Sequence, residues 1–232
     1  MRQRRYHRGQ GLLNFGAAHL DRPPRRIFEF GAGHQLNLQA AHDLWPEATL
    51  ACDDPDAAAL ATTDGPNILQ GDISALDGGF DIILLCHVLE HLKDPAAVLA
   101  GLCAHLAPGG ILLIEVPNDR ADVLAAGKVH DPHVTFFTPS TLRTLFDVGL
   151  GVHVAVQEVA TSGPPLPRPG MRAKMLNARR ALKRKLVKSF NLDLTNPFVD
   201  PSVFTIAAHD DTRGLLRLVA RAPVEATPTT TP

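Results

Sequence analysis

The 232 residues are 45% hydrophobic and 20% charged, with a net charge of −1, the balance of a globular chain able to bury one substantial core. Three cysteines (Cys52, Cys86 and Cys103) have neither disulfide nor metal-ligand spacing, which excludes a disulfide scaffold and points to a reducing, cytoplasmic setting. No run approaches the ~18 apolar residues of a membrane span, no internal repeat is present, and the basic N-terminus lacks the apolar core of a signal peptide.

Arg26–Phe30 is a short apolar run ending in Gly31-Ala32-Gly33, which predicts a buried strand and a tight turn. His34–Leu44 reads as a helix. Ala48–Cys52 reads as a second strand, closed by Asp53-Asp54-Pro55, and Pro55 suits the first turn of a helix over Ala57–Ala61. Asn67–Gln70 is a third strand, ending in Gly71-Asp72. Phe80–Cys86 is a fourth, apolar enough to be buried on both faces. Asp94 and Pro95 suit the N-cap and first position of a helix reaching to about Leu106. Pro108-Gly109-Gly110 then turns the chain into strand Ile111–Val116.

Thr138-Pro139-Ser140 opens a helix over Thr141–Phe146. Gly151–Val159 alternates with period two, as an antiparallel or half-exposed strand does. Ser162–Pro169 reads as a linker and Met171–Lys188 as a helix. Val203–Ala208 is the expected last core strand, with Leu215–Ala220 as its competitor. The terminal TPTTTP reads as disordered.

Strands alternating with helices predict a mostly parallel, doubly wound α/β sheet, whose ligands sit beyond the carboxyl ends of the strands. Gly31 and Gly33 fall at such an end. Asp53 ends the second strand, near the ~20-residue spacing at which a carboxylate grips ribose hydroxyls. Of Asp53 and Asp54, one is expected to cap the next helix and the other to bind. A dinucleotide site wants a third small residue, and here Gly31-Ala32-Gly33-His34-Gln35-Leu36 places leucine there. That argues against an NAD(P)-dependent oxidoreductase.

In order and spacing, IFEFGAG, ACDDP, LQGDI and FDIILLCHVLEHL resemble the successive motifs of class I S-adenosylmethionine (SAM)-dependent methyltransferases. APGGILLIEVPN and HVTFFTPSTLRTLFDVGLGV are similar to the subgroup that modifies small molecules and glycans, and the match covers about residues 25–160. The resemblance implies a Rossmann-like seven-stranded sheet of order 3-2-1-4-5-7-6, with the last strand antiparallel and a basic helical insertion before it. It implies that Glu29, Gly31 and Gly33 line the methionine portion of SAM and that Asp53 binds the ribose. Asp72 would accept from the adenine amino group, Ile73 would pack on the ring, and the backbone near Cys86 and His87 would hold the methionine amino end. Gln35 departs from the small residue usual in the family.

His87-Val88-Leu89-Glu90-His91 fits a zinc-protease pattern, but it follows directly on a buried strand inside a nucleotide-binding pattern, so no metal is assigned. There His87 and His91 are expected to shape the cofactor loop. His133 matches a histidine of the family pattern. It is either a general base for a hydroxyl acceptor or a pin for its own loop. His130 is the second catalytic candidate, with a structural role favoured.

Nine Lys or Arg and no acid lie between Arg168 and Lys188, leaving the rest of the chain at a net of −10. This segment reads as a solvated amphipathic helix, or as a lid that docks an anionic acceptor or an anionic membrane surface; nucleic acid ranks below these for want of stacking aromatics. The implied layout is an N-terminal segment (1–24), a SAM-binding core (25–160), a basic helical insertion (161–200), final strands (201–222) and a tail (223–232). The expected activity is methylation, at oxygen, of a small-molecule or glycan-type acceptor, phosphorylated or lipid-linked sugars among them. A non-catalytic binding protein of the same fold is the alternative.

Overall fold

The computed structural model describes residues 2–54, 68–76, 78–119, 133–150, 153–166 and 201–224. The helices expected over Ala57–Ala61 and Met171–Lys188, residues 167–200 of the expected insertion, His130 and the TPTTTP tail lie outside them.

Seven strands form one sheet: β1 (Arg26–Phe30), β2 (Thr49–Asp53), β3 (Ile68–Gln70), β4 (Phe80–Cys86), β5 (Leu106–Pro117), β6 (Ala155–Pro165) and β7 (Arg213–Arg221). Their order is β3-β2-β1-β4-β5-β7-β6, as the resemblance implied. Every pairing from β3 to β5 is parallel; β7 runs antiparallel to both β5 and β6.

Helices cover both faces, so the central strands are apolar throughout. In β4, Ile82 and Leu84 face one layer and Ile83 and Leu85 the other, and all seven residues are buried. One layer holds α1 (Arg2–Ala17) and α2 (Leu36–Leu44), which contribute Leu12, Leu13, Leu38 and Ala41. The other holds α3 (Pro95–Cys103) and α4 (Pro139–Gly149), with Leu99, Leu102, Leu142 and Phe146. Both α3 and α4 start where sequence places them. Asp94 accepts from the Ala97 amide at 3.0 Å, and Thr138 and Thr141 close a reciprocal capping box.

Four features depart from the sequence reading. The first 24 residues, to which sequence reading assigned no element, carry α1, which spans 16 of them and packs on α2 and on the 3-10 turn Pro201–Phe204. Close approach there requires glycine, since a Cβ on Gly11 would lie 2.1 Å from the Phe204 carbonyl oxygen. Pro108-Gly109-Gly110 is no turn between elements but an irregularity within β5, where the pairing with β4 jumps from Phe80–Leu106 to Ile82–Ile111. Ser162–Pro165, expected as linker, continues β6. The last core strand is Arg213–Arg221, whereas Val203–Ala208 contributes only a 3-10 turn and an isolated bridge from Ala208 to Thr161. Among the described residues no helix is long and apolar enough to cross a membrane.

Candidate functional site

The carboxyl ends of β1 and β4 border a cavity of about 330 Å³. Glu29, Gly31 and Gly33 line it from the first strand and its turn, Leu36 and Asn37 from α2, Cys86 and His87 from the end of β4, and Arg5 and Arg8 from α1.

The turn is held open by its backbone. Gly31 has φ +74°, and a Cβ there would sit 2.4 Å from Val88 Cγ2, so both conformation and space demand glycine. Two acidic residues at the end of β2 tether the same turn. The Asp53 carbonyl accepts from the Gly31 amide at 2.8 Å, and Asp54 Oδ2 accepts from the Gly33 amide at 2.7 Å. Gln35 occupies the left-handed region (φ +56°), which explains why a small residue is the easier choice there. Its side chain is buried, with its amide donating to Cys52 Sγ, and is not among the residues lining the cavity.

Glu29 is the acidic wall. It is 1% exposed; Oε1 accepts from Asn37 Nδ2 at 2.6 Å, and Oε2 has no hydrogen-bond partner among the described residues. Burial pushes its carboxyl up to about 8, against the opposing pull of Asn37 and Arg8.

Arg8 forms the cationic wall and is positioned by Glu115 of β5. The Glu115 carboxylate receives Arg217 Nε at 2.8 Å and faces Arg8 Nε at 3.2 Å and His87 Nε2 at 3.7 Å. Burial alone would raise the Glu115 carboxyl, but Arg217, Arg8 and His87 together outweigh it and hold it below the usual carboxylate range. His87, at φ +59°, also places Nδ1 3.1 Å from Glu90 Oε1.

His91 does not share a face with His87. Residues 89–91 form a 3-10 turn that sends His91 toward His133, with ring centroids 4.9 Å apart. Two groups of potential metal-ligating atoms result: Cys86, His87 and Glu115, and Glu90, His91 and His133.

Of the eight cofactor residues expected from sequence, the cavity brings together Glu29, Gly31, Gly33, Cys86 and His87. Asp53 stands one strand away. Asp72 accepts from the Ser74 amide and hydroxyl, which hold its carboxyl below its ordinary value, and Ile73 packs against the core. His133 lies with His91 and is not among the cavity's lining residues. Sequence reasoning missed Arg5, Arg8 and Asn37. The available signal was the charge in IEVP: a glutamate inside a buried strand requires a cation from elsewhere in the chain.

Residues 1–150 match the protein family described as a methyltransferase domain. The chain belongs to that family. Its members use S-adenosyl-L-methionine, and the cavity suits that molecule: the glycine turn admits close approach, while Leu36 stands where a pyrophosphate would need a small residue. Among curated proteins, the chain is 35% identical over 105 residues to trans-aconitate 2-methyltransferase of Deinococcus radiodurans, covering 43% of this chain and 41% of that one. It is 31% identical over 91 residues to ubiquinone biosynthesis O-methyltransferase of Caulobacter vibrioides, covering 38% and 36%. The chain thus matches less than half the length of either relative. A plantazolicin methyltransferase, solved in complex with a triazolic desmethylPZN analog and SAH, superposes with a TM-score of 0.60 over 94% of this chain and 85% of that one; at 16% identity, this likeness is one of fold.

Proposed function

We propose that this protein transfers the methyl group of SAM to an oxygen of a small-molecule or glycan-type acceptor. The observation that carries the reading is the two-signed cavity, with Glu29 on one wall and Arg8 and Arg5 on the other. The methionine portion of SAM carries an ammonium and a carboxylate, and such walls orient both ends at once. Gly31 and Gly33 allow close approach at that end, and the backbone at Cys86 and His87 borders the amino group. Asp53 is the proposed ribose partner, with Asp72 and Ile73 at the adenine.

Transfer is an in-line displacement: the sulfonium–methyl bond breaks as the oxygen–methyl bond forms, S-adenosylhomocysteine leaves, and the hydroxyl proton must go elsewhere. We assign the handling of that proton to the Glu90–His91–His133 cluster, which His87 joins to the cavity rim through its 3.1 Å contact with Glu90. Oxygen as the target is supported by the O-methyltransferase among the relatives. An anionic or lipid-linked acceptor is supported by the nine basic residues of 168–188.

Calorimetric titration with S-adenosylhomocysteine, followed by methyl-transfer assays over hydroxyl-bearing acids, phenols and phosphorylated or lipid-linked sugars, tests the reading. Binding in the micromolar range and a product stable to mild base are expected. A folded protein that ignores S-adenosylhomocysteine overturns it. His133→Ala is expected to lower turnover far more than cofactor affinity; equal loss of both would make His133 a loop pin.

A further inference from the structure

We propose that Glu90, His91 and His133 form a divalent-cation site beside the cofactor cavity. Their ligand atoms all lie within 4.8 Å of one another. Two imidazoles and one carboxylate are a donor set for zinc and neighbouring first-row ions, with coordination positions left open. His91 is exposed, and rotation of its ring closes the remaining distance to bonds of ~2.1 Å.

The cluster is built by the backbone. The amides of Val134 and Thr135 both donate to the Glu90 carbonyl, at 2.9 and 3.1 Å, and Thr135 Oγ1 donates to the Leu92 carbonyl at 3.1 Å. These bonds fasten the segment that carries His133 onto the turn that carries Glu90 and His91. The ligands therefore come from two separate stretches of chain fixed in register. Glu90 is fully buried. His87 engages its Oε1, as an outer partner orients a metal-binding carboxylate, whereas Oε2 has no hydrogen-bond partner among the described residues. A buried carboxylate oxygen left so is costly, and a cation offsets that cost.

The neighbouring group, Cys86, His87 and Glu115, does not compete. Two guanidinium groups, Arg217 and Arg8, already occupy the Glu115 carboxylate and repel a cation.

The consequence for chemistry rests on the methyl-transfer reading. An open position on the cation would take the acceptor hydroxyl and ease loss of its proton to solvent, leaving the oxygen lone pair for the methyl carbon. The pattern His87-x-x-Glu90-His91 thus contains two of the three ligands, with the third 42 residues further on.

The test uses the full chain, stripped with chelator and dialysed. Titration with zinc by calorimetry, and with cobalt(II) by visible absorption, is expected to show one bound ion. His91→Ala, at an exposed position, and His133→Ala should each weaken binding by about tenfold or more, while His153→Ala leaves it unchanged. No stoichiometric binding by the folded protein, or binding undiminished in the His91→Ala/His133→Ala double variant, overturns the proposal. S-adenosylhomocysteine affinity, measured on the same samples, confirms folding and separates the two claims. Cofactor binding without the ion sinks the cation site alone, and the ion without the cofactor sinks the methyltransferase reading alone.

Discussion

Arg217 of β7 and Glu115 of β5 stand opposite one another across an antiparallel pair and are joined by a 2.8 Å hydrogen bond, both side chains at most 1% exposed. Arg217 also donates to the Phe204 carbonyl at 2.8 Å, so one guanidinium ties the sheet to the 3-10 turn beneath α1. Such a pair matters less for net stability than for what its loss leaves behind. Arg217→Met strands the Glu115 carboxylate with Arg8 and His87 alone, and about 3–5 kcal/mol of folding free energy should be lost. Urea denaturation at pH 7 measures it. Because the folded-state pKa of Glu115 is depressed, its contribution is present above the ordinary carboxylate range and is lost as pH falls through and below it. The deficit of the variant should therefore shrink in acid.

The paired acids at the end of β2 separate by experiment. Asp53 meets the glycine turn through its backbone, which a side-chain substitution leaves in place. Asp53→Ala should weaken S-adenosylhomocysteine binding at least several-fold with little change in Tm, because a charged acceptor contributes ~1.5–3 kcal/mol to its hydrogen bond. Asp54→Ala removes the tether on Gly33 and should lower both affinity and Tm. Thermal shift with and without S-adenosylhomocysteine distinguishes them; an Asp53→Ala protein with wild-type affinity would refute the ribose assignment.

Glu29 gives cofactor binding a pH dependence. Burial holds its proton until about pH 8. An approaching ammonium group favours the carboxylate, so binding at pH 7 should release a proton, and affinity should climb by up to about tenfold per unit as pH rises toward 8. Folding has the opposite sign. A carboxyl with a raised pKa stabilises the folded chain most at low pH, and that contribution fades from the ordinary carboxylate value up through about 8. Arg8 and Asp54 face the same group and pull in opposite directions. Calorimetry in two buffers of different ionisation heat measures the proton count, which Glu29→Gln should abolish.

Gly31→Ala should cost both fold and site. The new methyl would meet Val88 Cγ2 at 2.4 Å in a left-handed backbone. Trimming the neighbour in a Gly31→Ala/Val88→Ala double variant relieves the contact but leaves the backbone strain, commonly ~1–3 kcal/mol. The double variant should recover part, not all, of the lost Tm.

The central strands and the cavity floor were legible because they depend on local patterns, apolar runs, glycine turns and helix caps at fixed spacing, whereas the strand order came only with the resemblance of the motif series to a known family. β7 was obscured by Arg217, a full charge in the middle of LLRLVA, which made Val203–Ala208 look the more apolar strand. The compensating Glu115 lies 102 residues away and is invisible to any window. α1 was hidden for a related reason. Its glycines weaken a helical reading, yet Gly11 is what lets the helix lie flush against Phe204. The glutamate in IEVP and the arginines of α1 are informative only as a pair.

The Arg8–Glu115–Arg217 contact joins three stretches of chain that lie far apart in sequence. During synthesis Arg8 emerges well before Glu115, and the α1 arginine has no carboxylate to hold it until β5 has joined the sheet. A ribosome-bound chain stopped short of Glu115 would carry the glycine turn, Glu29 and α1, yet Arg8 would lack its anchor, so the order in which the walls of the cavity are made is not the order in which they are fixed.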